Sequence, residues 1–339
     1  MWFPATVIMV DFKGKPDVSV VITAHDAAST IEPCLESVAA SAAHAGLRCE
    51  ILLVDDRSRD RTTAIARGLG LKGLAVLNIE RYRGPGLSAR QVALDMGFRR
   101  ARGAFILVTD ADAVVPLNWV GIMTDTLQSG GGDAVAGPIE FRGRPALLRN
   151  LQSLDALLYF AASRCLNRMG FAGGAFFANF GFRRQAYEIL GGFSAMGFSL
   201  IEDHQFSKRI HEAGRTLEYR CGSVVSVLAC GGIVPLLRRI LRVSFGGVSV
   251  LSVAIGAWLL SLPLLLFLAL IDGPLMLSLL ALRVGLGWMS ILFILKRRWI
   301  SLLPLALVFE WLVVAVSVPI MVGRTFHPHV EWGGVLYRR

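Results

Sequence analysis

Asp110 and Asp112 stand one residue apart at the end of a short apolar run, Phe105 to Val108. Two carboxylates so spaced can hold a hard divalent cation together with the oxygens of a phosphate group. A polar turn after a strand would look the same on this stretch alone, so the neighbouring acids decide between the two. Asp26 follows the run Val18 to Thr23, and Asp55 and Asp56 end the run that starts at Glu50. Glu202 and Asp203 are adjacent at the start of a helical pattern that continues to Ala213 and stops at Gly214. Acids there suit the helix dipole, but capping alone does not call for two in a row.

The elements that must position these acids alternate. Val18–Thr23, Glu50–Val54, Leu74–Ile79 and Phe105–Val108 read as buried strands, and Ala134–Ile139 as another. Helices are expected over Thr30–Ala43, with Ser29 or Thr30 as cap, and over Arg61–Leu69 behind Asp60. A third is expected over Ser88–Arg102, with Gly103 closing it in the usual left-handed position. Alternating strands and helices imply right-handed βαβ units and a mostly parallel sheet, an α/β fold. In such a sheet the carboxyl ends of the strands lie along one edge, where ligands bind. Asp26, Asp55, Asp56, Asp110 and Asp112 would then share one cleft. Further on, a helix is expected over residues 146–168, Gly173 and Gly174 open a loop into Phe176–Phe180, and a helix follows over Arg184–Leu190.

Composition points to a membrane. Hydrophobic residues make up 54 % of the 339 residues, and mean hydropathy is +0.56, too apolar for an ordinary soluble enzyme. Three long apolar segments, 248–271, 275–295 and 300–322, are each long enough to span a bilayer. The net charge of +10 includes no dense basic run interleaved with aromatics, and Lys296–Arg298 lies between two apolar segments, so membrane orientation explains it better than a nucleic-acid partner. By the same rule Arg238, Arg239 and Arg242 should be cytoplasmic and the Asp272–Pro274 turn outside. Pro304 and Pro319 leave open whether the third segment spans or re-enters, and hence the side of the basic tail. Arg283 and Glu310 interrupt the apolar segments and are expected to pair with each other, or Arg283 with a lipid phosphate. The five cysteines form no Cys-x-x-Cys pair and read as reduced thiols. Met1 to Val10 is apolar but short, lacks a basic lead, and is not read as a signal peptide.

With these motifs together, the chain resembles the family 2 inverting glycosyltransferases of the GT-A fold that carry C-terminal membrane helices. Residues 20–26, Val-Val-Ile-Thr-Ala-His-Asp, stand where the family has a hydrophobic run ending in Pro-Ala-Tyr-Asn-Glu; Asp26 takes the Asn place and Ala27 the Glu place. Residues 53–62, Leu-Val-Asp-Asp-Arg-Ser-Arg-Asp-Arg-Thr, match Val-Asp-Asp-Gly-Ser-x-Asp-x-Thr. The resemblance implies that Thr23, Asp26, Asp55 and Asp56 line the nucleotide sugar. Residues 81–91 resemble the Gly-rich segment ending in Ala-Arg-Asn, with Arg90 near a phosphate or an acid. Asp110-Ala111-Asp112 matches the Asp-x-Asp motif, which implies Mg²⁺ or Mn²⁺ held mainly by Asp112 with Asp110 assisting. Glu202-Asp203 matches the family's Glu-Asp, which implies that both residues are catalytic, with Asp203 as the base, and Gly173 and Gly174 fall on the acceptor side. Processive members carry Gln-x-x-Arg-Trp; here Arg239-Ile-Leu-Arg242-Val243 keeps the Arg, on the diphosphate, and lacks Gln and Trp. That favours transfer of a single sugar over polymer synthesis. The ending Glu331-Trp332-Gly-Gly-Val-Leu-Tyr337 loosely resembles the Trp-x-Gly-Arg-x-Tyr of lipid-directed members, the ceramide glucosyltransferase-like and hopanoid-linked enzymes, with the Arg replaced.

The expected organisation is an adapter (1–16), a GT-A catalytic domain (17–232), a basic interfacial helix (233–247), membrane helices (248–323) and a basic tail (324–339). The expected function is a metal-assisted transfer from a nucleotide sugar to a membrane lipid or cell-envelope acceptor. The enzyme would be a multi-pass membrane protein with its catalytic domain in the cytoplasm. A small polysaccharide synthase and a non-catalytic nucleotide-sugar-binding subunit are the alternatives; a retained base argues against the second.

Overall fold

The structure, a computed structural model, describes residues 7–8, 14–82, 86–245, 250–271, 273–294, 302, 305, 308–316, 320, 329–332 and 334–338. They form two compact units, one of Met1–Arg142, Gly174–Leu228 and Trp332–Val335, the other of Gly143–Gly173, Ala229–Glu331 and Leu336–Arg339.

In chain order the elements begin β1 (Val7–Ile8), β2 (Val18–Ala24), α1 (Ile31–Ala45), β3 (Cys49–Asp56), α2 (Thr62–Gly68), β4 (Leu74–Ile79), α3 (Ala89–Arg100) and β5 (Phe105–Asp110). After β5 come β6 (Ala113–Val114), α4 (Trp119–Ser129), β7 (Ala134–Ala136), β8 (Ile139–Arg142) and α5 (Ala146–Arg168). A 3₁₀ turn over Phe177–Asn179 leads into β9 (Phe180–Arg183), α6 (Arg184–Ile189), α7 (Gly192–Met196), α8 (Glu202–Glu212), β10 (Leu217–Tyr219) and β11 (Val225–Leu228).

Eight strands form one sheet in the order β1-β4-β3-β2-β5-β9-β7-β10. The expected parallel core is there: β4, β3, β2 and β5 run parallel. Every residue of β3 and nearly every residue of β2 is buried, as strands covered on both faces must be. The register aligns their carboxyl ends, with Thr23 opposite Val54 and Asp110, and Ala24 opposite Asp55.

Beyond β5 the sheet departs from expectation. β9, for which the residues carry no strand expectation beyond the loop into Phe176–Phe180, pairs antiparallel with β5 and β7. Gly181 allows this, because a Cβ there would lie 2.6 Å from Leu107. The strand expected over Ala134–Ile139 is two strands. β7 belongs to the large sheet and β8 to a second sheet ordered β6-β11-β8. The break falls at Gly137-Pro138, where Pro138 lacks an N–H for a ladder. There the fully buried Asn179 takes over, its Nδ2 donating to the carbonyls of Pro138 (2.8 Å) and Ser223 (2.9 Å) and its Oδ1 accepting from Trp119 Nε1 (2.9 Å).

The helix caps also differ in detail. α3 ends at Arg100, and Gly103 does not close it in a left-handed conformation. Gly103 is small because the backbone of Val18 and Ser19 passes 2.7 Å from where its Cβ would stand. Thr30 is the N-cap of α1 without a capping side-chain bond, whereas Asp60 accepts the Thr62 amide at 3.0 Å at the start of α2. Behind β5 and β9 lies an aromatic cluster of Phe98, Phe177, Phe180, Phe182, Tyr187, Phe193 and Phe206. Phe182 sits 5.0 Å, centroid to centroid, from both Phe98 and Phe206. Such pairs add about 0.5–1.5 kcal/mol each beyond burial, and these two fasten α3 and α8 to the same strand.

The second unit contains α5, then α9 (Ile233–Ser244), α10 (Val250–Ile271) and α11 (Gly273–Ile294). α10 and α11 match the first two apolar segments to within a few residues. Val253–Ile271, with mean hydropathy 2.4, is the one helix among the described residues long and apolar enough to cross a membrane; Gly273–Met289 is a shorter apolar stretch. Of the third segment, residues 308–316 are helical. Leu302, Leu305, Phe309 and Val313 pack with Leu151, Leu154, Leu157 and Leu158 of α5. The rest of that segment with Pro304 and Pro319, and also Asp272, Lys296–Arg298 and most of the 1–16 adapter, lie outside the described residues. The expected Arg283–Glu310 ion pair is present. The tail carries a hairpin, β12 (His329–Trp332) and β13 (Val335–Arg338), turning at Gly334.

Candidate active site

Three adjacent parallel strands, β3, β2 and β5, deliver acids to one edge. Their environments differ, and the differences assign them different capacities. Asp55 is 5 % exposed. One of its oxygens accepts the Ser58 amide at 3.3 Å, and the other, Oδ1, is buried with no partner among the described residues. Burial pushes its pKa up against the Ser58 hydrogen bonds, with Asp56 and Asp60 adding to the rise. Asp56 is gripped by its neighbour, Arg57 Nε to Oδ1 at 2.7 Å and Nη2 to Oδ2 at 3.0 Å. The guanidinium of Arg57 in turn lies 5.7 Å from the Tyr82 ring centroid. Of the two acids, Asp55 has the free oxygen.

Asp26 sits in the left-handed region, at φ +49°, which Asp tolerates better than bulky residues. Its Oδ1 accepts the Arg59 amide at 2.7 Å and its own amide donates to Ser58 Oγ at 2.9 Å. Asp26 thus ties the loop after β2 to the loop after β3. Thr23 is half-buried between β3 and β5.

At the end of β5 the chain passes from the large sheet to the small one, and Asp110-Ala111-Asp112 occupies that crossing. Ala111 is buried, and Asp110 and Asp112 are half-buried. The Asp112 carbonyl accepts from Leu228 N and from Arg142 Nη2, both at 3.1 Å. Cys34 lies beneath, its Sγ donating to the Asp110 carbonyl at 3.3 Å. Burial first, then Asp112 and Asp110, drive that thiol's pKa up, so it stays protonated.

Arg90, in the first turn of α3, pairs with Asp110 and stands 2.5 Å from Glu202, Nε to Oε1. Burial alone would lower the pKa of this guanidinium, but Asp110, Glu202 and Asp203 hold it above its ordinary value. Glu202 is 4 % exposed. Asp203, half-buried, accepts the His204 amide at 2.8 Å. The structure therefore brings Asp110, Arg90, Glu202 and Asp203 together, on three elements far apart in sequence. Gly174 is buried and its carbonyl accepts from Tyr219 Oη at 2.9 Å. Gly173, also buried, and Arg242, half-buried on α9, belong to the second unit.

Sequence reading missed Arg57, Arg142, Gln205 and the role of Gln91. The signal for Gln91 is legible afterwards: Ser88-Ala-Arg-Gln91 is a capping box, Ser88 accepting the Gln91 amide and Gln91 accepting the Ser88 amide.

Among the described residues no three His, Cys, Asp or Glu side chains cluster as a metal cage. Two aspartates at one strand end do fit a hard cation that takes one or two carboxylates and fills its remaining positions with water and substrate phosphate.

This arrangement, a parallel-rich mixed sheet with its acids at the carboxyl edge, matches the GT-A fold. Residues 19–191 match the family model described as Glycosyl transferase family 2, and the chain belongs to that family. Among curated proteins it is 35 % identical over 100 residues to "Succinoglycan biosynthesis protein ExoO" of Rhizobium meliloti (strain 1021), covering 30 % of this chain and 26 % of that protein. It is 35 % identical over 97 residues to "Dodecaprenyl-phosphate galacturonate synthase" of Rhizobium johnstonii, covering 28 % of each. The chain thus spans little more than a quarter of the length of these relatives. The solved mannosyltransferase PcManGT of Pyrobaculum calidifontis, in complex with GDP-Man and Mn²⁺, shares the fold. Its TM-score is 0.56 at 20 % identity, over 91 % of this chain and 89 % of that one.

Proposed function

We propose that this protein is a membrane-bound inverting glycosyltransferase. It moves a single sugar from a nucleotide sugar to a hydroxyl or phosphate of a membrane lipid or other cell-envelope acceptor. The observation that carries the reading is the span of Arg90, which holds Asp110 of β5 and Glu202 of α8 with one guanidinium. Donor-side and acceptor-side acids are thereby within one side chain's reach, as a two-substrate reaction requires.

In this reading the buried, unpartnered Oδ1 of Asp55 accepts an N–H or O–H of the base or ribose, and Thr23, Asp26 and Asp56 shape that pocket. Asp112, with Asp110 beside it, would hold Mg²⁺ or Mn²⁺. Such an ion, when bound, offsets the charge that gathers on the departing nucleotide diphosphate. Asp203 takes the proton of an acceptor hydroxyl as that oxygen attacks the anomeric carbon opposite the diphosphate, which inverts the centre without a covalent enzyme intermediate. Arg242 serves the diphosphate, and Gly173 and Gly174 leave room for the acceptor.

The lipid acceptor is supported by the apolar helices and by α9. In α9, Arg238, Arg239 and Arg242 share one side, while Ile233, Leu237 and Val243 on the other are 65 %, 38 % and 49 % exposed. A helix of that pattern lies in a membrane interface. The name of the dodecaprenyl-phosphate galacturonate synthase points the same way. We read residues 17–232 as the catalytic domain, on the cytoplasmic side, and 233–247 as the interfacial helix ahead of multiple membrane helices. The loss of Gln and Trp around Arg242 favours single transfer.

Membranes bearing the protein, incubated with a panel of radiolabelled UDP- and GDP-sugars and extracted with organic solvent, test this. Label should enter the lipid fraction from one donor, and not with Asp203→Asn, which should still bind the nucleotide. Label in polymer would replace the lipid reading with a polysaccharide synthase, and transfer by the folded Asp203→Asn protein would remove Asp203 as base.

A further inference from the structure

Two successive residues at the start of α3 hold the start of α8 from both sides. Arg90 lies against Glu202 and Asp110. Gln91, fully buried, uses both amide hydrogens and its oxygen. Its Nε2 donates to the Gly197 carbonyl and to Gln205 Oε1, each at 2.9 Å. Its Oε1 accepts the amides of Ser88 at 2.8 Å and Ser199 at 3.0 Å. Gln205 adds its own bonds to the carbonyls of Met196 (2.9 Å) and Gly197 (3.1 Å). The segment before Glu202-Asp203 and the turn after it are therefore fastened to one helical turn, and that turn is fastened to the end of β5.

We propose that the first turn of α3 is a clasp that sets where Asp203 stands relative to Asp112, with Arg90, Gln91 and Glu202 as positioning residues and Glu202 taking no proton in the reaction. This rests on the function proposed above, in which Asp112 faces the donor and Asp203 the acceptor. Glu202 is suited to the clasp and unsuited to be the base. It is 4 % exposed, with one carboxylate oxygen 2.5 Å from Arg90 Nε, so it is closed off from an acceptor that enters from outside. Asp203 is adjacent in the chain, more exposed, and at the N-terminus of α8. Catalytic groups tolerate little displacement, and an error of about 1 Å can cost roughly a hundredfold in rate. A clasp made of buried side chains therefore has a kinetic signature. Loosening it lowers kcat and leaves donor affinity in place.

The test compares Glu202→Gln, Arg90→Lys, their double variant, Gln91→Leu and Asp203→Asn in detergent. The donor is the one that labels the membranes. Binding of UDP or GDP with Mn²⁺ reports the donor side, and thermal midpoints check folding. Glu202→Gln and Gln91→Leu should each lower kcat by about tenfold to a hundredfold with donor KM within roughly threefold, and the Glu202/Arg90 double variant should fall no more than roughly threefold below the weaker single one. Should Gln91→Leu not fold, Gln205→Ala, which removes one partner of the same amide, takes its place. A wild-type kcat in Glu202→Gln, a loss equal to that of Asp203→Asn, or multiplying effects in the double variant would each overturn the clasp. Activity retained by Asp203→Asn would instead strike the base assignment, so the two failures are distinguishable.

Discussion

Asp55 and Ser58 make a one-sided pair: the Ser58 amide donates to one carboxylate oxygen of Asp55 at 3.3 Å, and the other oxygen is buried without a partner among the described residues. A buried acceptor left open costs about 1–3 kcal/mol, and its pKa is raised by burial. The sign of the consequence follows. With the folded pKa above the unfolded one, the folded protein binds more protons in the window just above the ordinary value of 3.8, so stability falls as pH rises through that window and stays lower at neutral pH. Asp55→Asn should therefore melt no lower than the parent at pH 7 and lose its advantage near pH 4. Binding of the donor's nucleoside diphosphate should weaken by about tenfold or more, as expected when one good polar contact is spoiled. Thermal scans across pH and nucleotide titration check the two halves. Unchanged nucleotide affinity would mean that Asp55 does not face the base or ribose.

Much of this edge is legible in the sequence because it is local. β2, β3 and β5 are short apolar runs with acids at or just beyond their ends, and a parallel sheet must gather such ends. Asp55, Asp56, Asp110 and Asp112 stand out in the sequence for that reason. What the sequence hid depends on distant partners. That Asp56 is occupied by Arg57 while Asp55 is open depends on side-chain direction at a strand end. Nothing in the sequence of Phe180–Arg183 marks it as a strand, because the fit of Gly181 shows only with Leu107 packed on it. Asn179 and Gln91 are buried polar hubs, and nothing in their local sequence announces burial.

Gly103 shows the same limit in a testable form. Read as a helix terminator, it would accept Asn at little cost. In the fold it is pressed against strand β2: a Cβ would stand 2.7 Å from Ser19 N and from Val18 C, and its own amide donates to Ser19 Oγ at 2.8 Å. Ser19 Oγ in turn donates to Glu50 Oε1 at 2.6 Å. The two nearest atoms are backbone, which cannot yield as a flexible side chain would, so Gly103→Ala should cost about 1–3 kcal/mol, the usual penalty of overpacking, and Gly103→Asn at least as much. Chemical or thermal unfolding of the whole chain in detergent measures it. An Asn variant as stable as the parent would restore the role of helix terminator.

A polar cluster lies among the apolar helices of the second unit. Arg283 is 6 % exposed. It pairs with Glu310, donates from Nε to Ser261 Oγ at 3.0 Å and from Nη2 to the Trp258 carbonyl at 2.6 Å, and lies 4.1 Å from the centre of the Trp258 ring. Trp258 closes the circuit by donating from Nε1 to Glu310 Oε1 at 2.8 Å. Gly287 leaves the room for it, since a Cβ there would come within 3.1 Å of Glu310. Each guanidinium nitrogen of Arg283 has an acceptor, so the cluster reads as a pin between α10, α11 and residues 308–316 rather than as a ligand site. Removing one charge strands the other in an apolar setting, at about 3–5 kcal/mol; removing both does not. Arg283→Leu and Glu310→Leu should each lower the melting point and yield in detergent, and the double variant should recover a good part of the loss. The reversed pair, Glu at 283 with Arg at 310, should likewise surpass either single reversal. Donor-nucleotide binding by the catalytic unit should be the same in all of them. A double variant no better than the single ones would mean that Arg283 and Glu310 act on separate partners.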